Sequence, residues 1–211
     1  MKFIYSNDNK RYHTLNFYNK QKYGEKVYKA SVNAGLTCPN IDGKLGVGGC
    51  IYCEGGSGYF TNKNLSVKKQ ISAEIKRQNK NGEQHKYIVY FQANTNTYTD
   101  IDTLKKMSDE ALSFDNTVGI TFSTRTDCLD DEKIAFLQEL NRKTDVCLEF
   151  GLQSVHKKTL GFINRCQTFK SFKEEYLYFK KSGIRSCIHI INGLPNESYN
   201  MMIETAKQVG K

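Results

Sequence analysis

No stretch of the 211-residue sequence approaches the ~18 consecutive apolar residues of a membrane-spanning helix. The opening MKFIYSNDNKRYH lacks the uninterrupted apolar segment of a secretory signal. These two absences lead to the expectation of a cytoplasmic protein with no membrane partner. Acidic residues are the minority charge, 22 against 31 basic, and the formal balance of +9 favours an anionic partner while saying nothing of fold. No composition shift marks a second core, and 38% hydrophobic content at this length supports one. The cysteines number seven, odd, in a chain without an export signal. That argues against a disulfide framework and for reduced thiols engaged in metal or redox chemistry.

What is present alternates. KVYKASVNAGLT, residues 26–37, contains a first strand, and LSVKKQISAEIKRQN carries Val67, Ile71 and Ile75 at helical spacing. YIVYFQ, residues 87–92, is a continuous aromatic and β-branched run, as in a strand buried on both faces of a parallel sheet. IDTLKKMSDEALSF then repeats apolar residues at Ile101, Leu104, Met107 and Ala111, with Asp100 as N-cap. TVGITF, DVCLEFGL and RSCIHIING read as further strands, separated by helices over residues 130–141 and 168–183, the latter closed by Gly183. Strand–helix alternation implies βαβ units and an α/β parallel sheet, doubly wound or curved into a barrel. Polar segments QANTNTY, STRTD, GLQS and NGLPNE fall where strands end, the edge on which such folds place their sites.

The first strand runs into CPNIDGKLGVGGCIYC, residues 38–53, which spaces its cysteines as C-x11-C-x2-C with five glycine or proline residues between the first two. Structural zinc generally takes four ligands, often from paired C-x2-C hairpins. This loop offers three, and Cys128, Cys147, Cys166 and Cys187 lie in or beside separate elements without a second C-x2-C. Those four read most simply as small buried residues. Three thiolates on a cubane iron–sulfur cluster leave one iron open to bind and activate another molecule.

On YGEKVYK, LTCPNIDGKLGVGGCIYC, FQANTNTY, STRTDCL, LEFGLQSVHKKTLGFINR and HIINGLPNES, the sequence resembles the radical S-adenosylmethionine (SAM) superfamily. The resemblance is to its YhcC/YtqA-type branch, related to the radical domain of the Elongator catalytic subunit. The usual superfamily spacing is C-x3-C-x2-C; the longer first interval departs from it as this branch does, and Tyr52 before the last cysteine is the family's aromatic. The resemblance implies a partial (βα)-barrel, here ending after about five βα units where members of the branch continue. It implies a [4Fe-4S] cluster on Cys38, Cys50 and Cys53, with the open iron chelated by the amino and carboxylate groups of SAM. One electron, from a donor such as flavodoxin or ferredoxin, then cleaves SAM to methionine and a 5′-deoxyadenosyl radical.

Other residues have two readings each. Glu149 sits in mid-strand, where a lone carboxylate is costly unless it faces a polar cavity or is paired. The resemblance assigns it with Gln153 to the SAM region, at the ribose hydroxyls; a structural hydrogen-bonded pair is the alternative. FQANTNTY occupies the position of a GGE-like segment that it lacks, leaving Gln92, Thr95 and Asn96 as neutral acceptors for the SAM amino group or as turn-capping residues. Arg125 and Arg165 are candidates for the SAM carboxylate or an anionic substrate, since a guanidinium forks onto carboxylates. His189 alternates with Ile188 and Ile190, either as a satisfied core histidine or facing the lumen.

The segment 1–29 interleaves Lys2, Lys10, Arg11, Lys20, Lys22, Lys26 and Lys29 with Tyr5, Tyr12, Phe17, Tyr18, Tyr23 and Tyr28. That mixture suits RNA through phosphate neutralisation and base stacking, and the resemblance makes residues 30–211 the expected radical SAM core. Together with the Elongator resemblance it points to tRNA and to the wobble-uridine side chain, one branch of the family being associated with turning carboxymethylaminomethyluridine into aminomethyluridine. A non-catalytic, metal-stabilised RNA-binding module, including an inactive fragment of such an enzyme, is the alternative expectation.

Overall fold

The computed structural model describes residues 9–53, 61–79 and 83–211. Five parallel strands, β1 (Val27–Val32), β2 (Lys86–Phe91), β3 (Thr117–Thr124), β4 (Asp145–Gln153) and β5 (Arg185–Ile190), lie side by side in chain order. A doubly wound sheet requires the strand order to reverse at a switch point. Here it never does, so successive right-handed crossovers place their helices on one face and leave the other as the inner face of a partial barrel.

The crossover helices are α2 (Val67–Gln78), α3 (Ile101–Leu112), α4 (Asp131–Lys143) and α6 (Phe169–Lys180), and α7 (Tyr199–Val209) follows β5. Each helix begins at a residue that accepts from its own first turn: Asp100 from the Thr103 amide at 2.7 Å, Asp130 from Lys133 at 2.9 Å, Thr168 from Ser171 at 3.1 Å. Their apolar stripes, including Ile71, Leu104, Leu137, Phe172 and Phe179, pack on Val32, Phe91, Phe122, Leu148 and Phe150 from the strands. Phe91 and Phe122 stack with centroids 4.9 Å apart. Period-two alternation then turns Lys29, Tyr90, Ser123, Glu149, Cys187 and His189 to the inner face.

Two helices lie where the sequence shows no apolar stripe. The first, α1 (Leu15–Tyr23), has a Thr14 cap and the left-handed Gly24 at its end, yet buries only Asn19. It is held by charge instead: Lys22 pairs with Asp145 at 2.6 Å, the Tyr23 hydroxyl donates to Asp145 at 2.7 Å, and Lys86 Nζ donates to the Tyr23 carbonyl at 3.0 Å. Asp145 and Lys86 open their strands, so α1 closes the N-terminal end of the half-barrel. The second, α5 (Lys157–Phe162), is a six-residue helix after β4, too short for periodicity to register. Among the described residues no helix is long and apolar enough to cross a membrane.

Candidate active site

The loop after β1 folds back on itself through backbone bonds from Ile41 to the Cys38 carbonyl, Leu45 to Pro39 and Gly49 to Asn40, each 2.8 Å. Gly48 and Gly49 both take φ of 78°, open to glycine at little steric cost. Gly46 is needed for a different reason: a Cβ there would overlap the buried Asn40 side-chain oxygen and come within 2.7 Å of Cys166 Sγ. The loop is anchored to the turn after α5, Ile51 donating to the Ile163 carbonyl at 3.1 Å and Asn164 Nδ2 to the Gly49 carbonyl at 2.8 Å. Asn40, fully buried, donates from Nδ2 to Cys50 Sγ at 3.4 Å, while its Oδ1 has no partner.

Cys38, Cys50 and Cys53 open onto one cavity of about 350 Å³ at the C-terminal edge of the strands. Among the described residues no group of three His, Cys, Asp or Glu converges as a single metal ion requires. The three thiols instead surround a space, with neither a fourth thiol nor a disulfide between them. That donor set, three soft ligands with one face open, fits an iron–sulfur cluster with a site-differentiated iron. Cys128 and Cys147 are buried as small core residues, but the expectation fails for Cys166 and Cys187, which are exposed. Cys166 sits in a left-handed turn at φ 49° beside the loop, and Cys187 faces the open inner side of β5.

The structure brings Gln92, Thr95, Arg125, Glu149, Gln153, Arg165 and His189 to the same cavity wall. Asn96 lies behind it, fully buried, its amide donating to the carbonyls of Phe91, Ala93 and Ser123 at 2.9–3.1 Å. That geometry ties the end of β2 to β3, the turn-capping reading. Arg125 forks onto Asp127 at 2.8 and 2.6 Å and donates to the Arg165 carbonyl at 3.1 Å, so its charge is balanced inside the protein. Arg165, also buried, donates to the Gly151 carbonyl and to Gln167 Oε1, with no carboxylate among these partners. A buried guanidinium whose partners among the described residues are all neutral is costly unless an anion joins it. It stands beside Tyr52 and the cysteine loop, where thiolates or a ligand carboxylate would supply that charge.

Glu149 is engaged on both oxygens. Oε2 accepts from Tyr90 at 2.8 Å and lies 3.0 Å from His189 Nε2, and Lys29 Nζ is 3.5 Å from Oε1. Burial works against the charged carboxylate, but bonds from His189, Lys29 and Tyr90 outweigh it and hold its pKa down at about 2. His189 faces the lumen, and hydrogen bonds with Cys187 and Glu149 push its pKa up to about 10.

Sequence reasoning missed Tyr90, Lys29, Asn40 and Asn94. Asn94 lines the cavity at φ 60°, donating to the Leu36 carbonyl at 2.7 Å and leaving its buried Oδ1 without a partner. The signal for it was there: an asparagine in a strand-end turn tolerates left-handed φ. Tyr90 read as a strand residue and Lys29 as one of the RNA-facing cations of segment 1–29, and only the inward register joins them. Several cations and aromatics of the N-terminal segment are occupied internally. Lys22 pairs with Asp145, Lys26 stands 4.3 Å over Tyr28, and Lys29 stands 4.1 Å over Tyr90. Lys2 and Tyr5 lie outside the described residues.

A sequence profile of the Radical SAM superfamily matches residues 46–209. The protein YtqA of Bacillus subtilis is 44% identical over 98% of this chain and 65% of its own length. YhcC of Escherichia coli is 34% identical over 90% of this chain and 61% of its own. The chain therefore spans somewhat under two thirds of these relatives. Among solved structures, archaeal Elp3 from Methanocaldococcus infernus superimposes with a TM-score of 0.57 at 18% identity, covering 87% of this chain and 42% of that one. At that identity the likeness speaks for the fold.

Proposed function

Since the chain belongs to the radical SAM superfamily, we propose that the protein is an enzyme that reductively cleaves SAM and uses the radical on a tRNA wobble-uridine side chain, taking carboxymethylaminomethyl to aminomethyl. The observation that carries the enzymatic part is the ring of three thiols, and no more, around a cavity built from strand-end residues. When bound, a [4Fe-4S] cluster would supply the one-electron chemistry that cleaves SAM. Cys38, Cys50 and Cys53 would hold it, the Gly46–Gly49 turn letting backbone approach closely.

The chain's other residues bind, orient and exclude water. Arg165, with no acidic partner among the described residues, would receive the methionine carboxylate, and the unpartnered Asn94 Oδ1 and the Thr95 hydroxyl would accept from its amino group. Gln92 and Gln153 line the same wall. Glu149, engaged by Tyr90, His189 and Lys29, orders the lumen beneath them. The tRNA assignment is supported by the Elongator resemblance and the +9 balance, and a small acidic donor of the flavodoxin or ferredoxin class suits the same surface charge. The test has two arms. Anaerobically reconstituted protein with dithionite and SAM should release 5′-deoxyadenosine, and nucleoside mass spectrometry of tRNA from cells lacking the gene should show accumulated carboxymethylaminomethyluridine. An unchanged wobble profile refutes the substrate; absence of 5′-deoxyadenosine from the cluster-loaded protein refutes the chemistry.

A further inference from the structure

The inner face of the sheet carries more positive charge than its own acids balance. Lys29 and His189 share one carboxylate, Glu149, at 3.5 and 3.0 Å. A layer below, Asp145 again faces two cations, Lys22 at 2.6 Å and Arg185 at 2.9 Å. Of the side chains paired in register with Glu149, Ser123 and Cys187, neither is a carboxylate. Glu149 is already spread over three donors, since Tyr90 also donates to it at 2.8 Å, and the Tyr90 ring lies under the Lys29 ammonium at 4.1 Å. The cations are not sealed off: the Lys29 side chain is 37% accessible and that of His189 47%, against 12% for Glu149. His189 keeps its charge through the neutral range, its bonds to Cys187 and Glu149 holding the imidazolium.

We propose that Lys29 and His189 form a subsite for a carboxylate carried by the substrate, with Glu149 and Tyr90 as positioning residues that fix the two cations on the lumen floor. This rests on the radical SAM reading above and specifies its substrate end. One excess positive charge matches one carboxylate. Lys29 supplies the hydrogen bonds, since its ammonium has three donors and makes a single long contact to Glu149. His189 supplies charge, its ring being already bonded. A side chain ending in a carboxymethyl group would be held here, and its carboxylate-free product would meet only repulsion from the same cations, favouring release.

The methionine end of SAM carries the same chemistry, so the two sources must be separated. Calorimetry on the anaerobically reconstituted protein, saturated with SAM, should show 5-carboxymethylaminomethyluridine binding more tightly than 5-aminomethyluridine by about tenfold or more. Acetate should compete. Lys29→Met should remove the preference and the acetate binding, and Lys29→Arg, which keeps the charge, should retain both. Loss of acetate binding on saturation with SAM would assign the site to SAM and overturn the proposal, as would a preference unaffected by Lys29→Met. Lys29-dependent acetate binding with no binding of either nucleoside would leave the subsite standing and refute the wobble-uridine substrate. Release of 5′-deoxyadenosine, measured separately, reports on the radical chemistry alone.

Discussion

Replacing Asn40 with alanine should lower the reduction potential of the cluster without changing which residues hold it. Asn40 Nδ2 donates to Cys50 Sγ at 3.4 Å from a fully buried position. A donor aimed at a ligand sulfur stabilises the more negative, reduced state, and hydrogen bonds to sulfur are among the levers that set cluster potentials. A bond of this kind is worth about 1 kcal/mol. If that full amount favours the reduced state, then at 59 mV per tenfold for one electron the midpoint falls by roughly 40 mV. The same amide also donates to the Asn164 carbonyl at 2.5 Å, so the variant should lose about 1–3 kcal/mol of stability as well. The assay is an anaerobic redox titration followed by the paramagnetic signal of the reduced cluster, with iron content confirming equal loading. A fully loaded variant with an unchanged or raised midpoint would show that Asn40 does not reach Cys50 in the loaded protein.

Gly46→Ala should be far more costly than Gly161→Ala. The first Cβ would strike Asn40 and Cys166 Sγ, whereas the second meets nothing within 4 Å; differential scanning calorimetry should show about 1–3 kcal/mol lost against none. Equal melting temperatures would contradict the loop geometry. His189, whose pKa rises from 6.5 to about 10 through its bonds to Cys187 and Glu149, should remain protonated at pH 8 by NMR and titrate at a lower pH in Glu149→Gln, the Cys187 bond keeping part of the rise. A group with a raised pKa stabilises the fold fully below its unfolded value and loses that contribution as pH rises toward about 10; the carboxylate end, lowered from 4.5 to about 2, loses it on acidification. The pair counts once, and with half the imidazole in solvent it is worth about 1 kcal/mol at most. A wild-type imidazole titrating near 6.5 would remove both Cys187 and Glu149 as its partners, and a titration unmoved in Glu149→Gln would remove Glu149. Asp145→Ala should release α1, giving faster amide exchange in Leu15–Tyr23 while β2 and β3 keep their protection; uniform exchange across the chain would refute the clasp.

The sheet was legible because its signal is local. YIVYF is apolar on both faces, and all of β2 beyond Lys86 is buried; the four-residue spacing of Val67, Ile71 and Ile75 became α2. Periodicity left the choice between doubly wound and curved open, since strand order is set by packing rather than by any one segment, and only the family resemblance pointed to the partial barrel that the strand order shows. α1 escaped because Asp145, over a hundred residues away, holds it. The site divides along the same line. Three cysteines in a glycine-rich loop declare themselves by spacing, but the engagement of Glu149 depends on Lys29, Tyr90 and His189 from three other strands. Their meeting follows from register alone. Cys187 was misjudged for a related reason: in β5 an inward position is buried only if something lies over it, and period-two alternation cannot say whether anything does.

The account's central claim is that Cys38, Cys50 and Cys53 ring one cavity as the ligands of an iron–sulfur cluster. It is tested most directly by iron, zinc and acid-labile sulfide analysis of the anaerobically reconstituted protein beside its C38A/C50A/C53A variant. The account predicts iron and sulfide in a one-to-one ratio, with visible absorption and a reduced-state paramagnetic signal, all lost in the variant. Zinc without sulfide in the parent protein, or a cluster that survives in the variant, would contradict it.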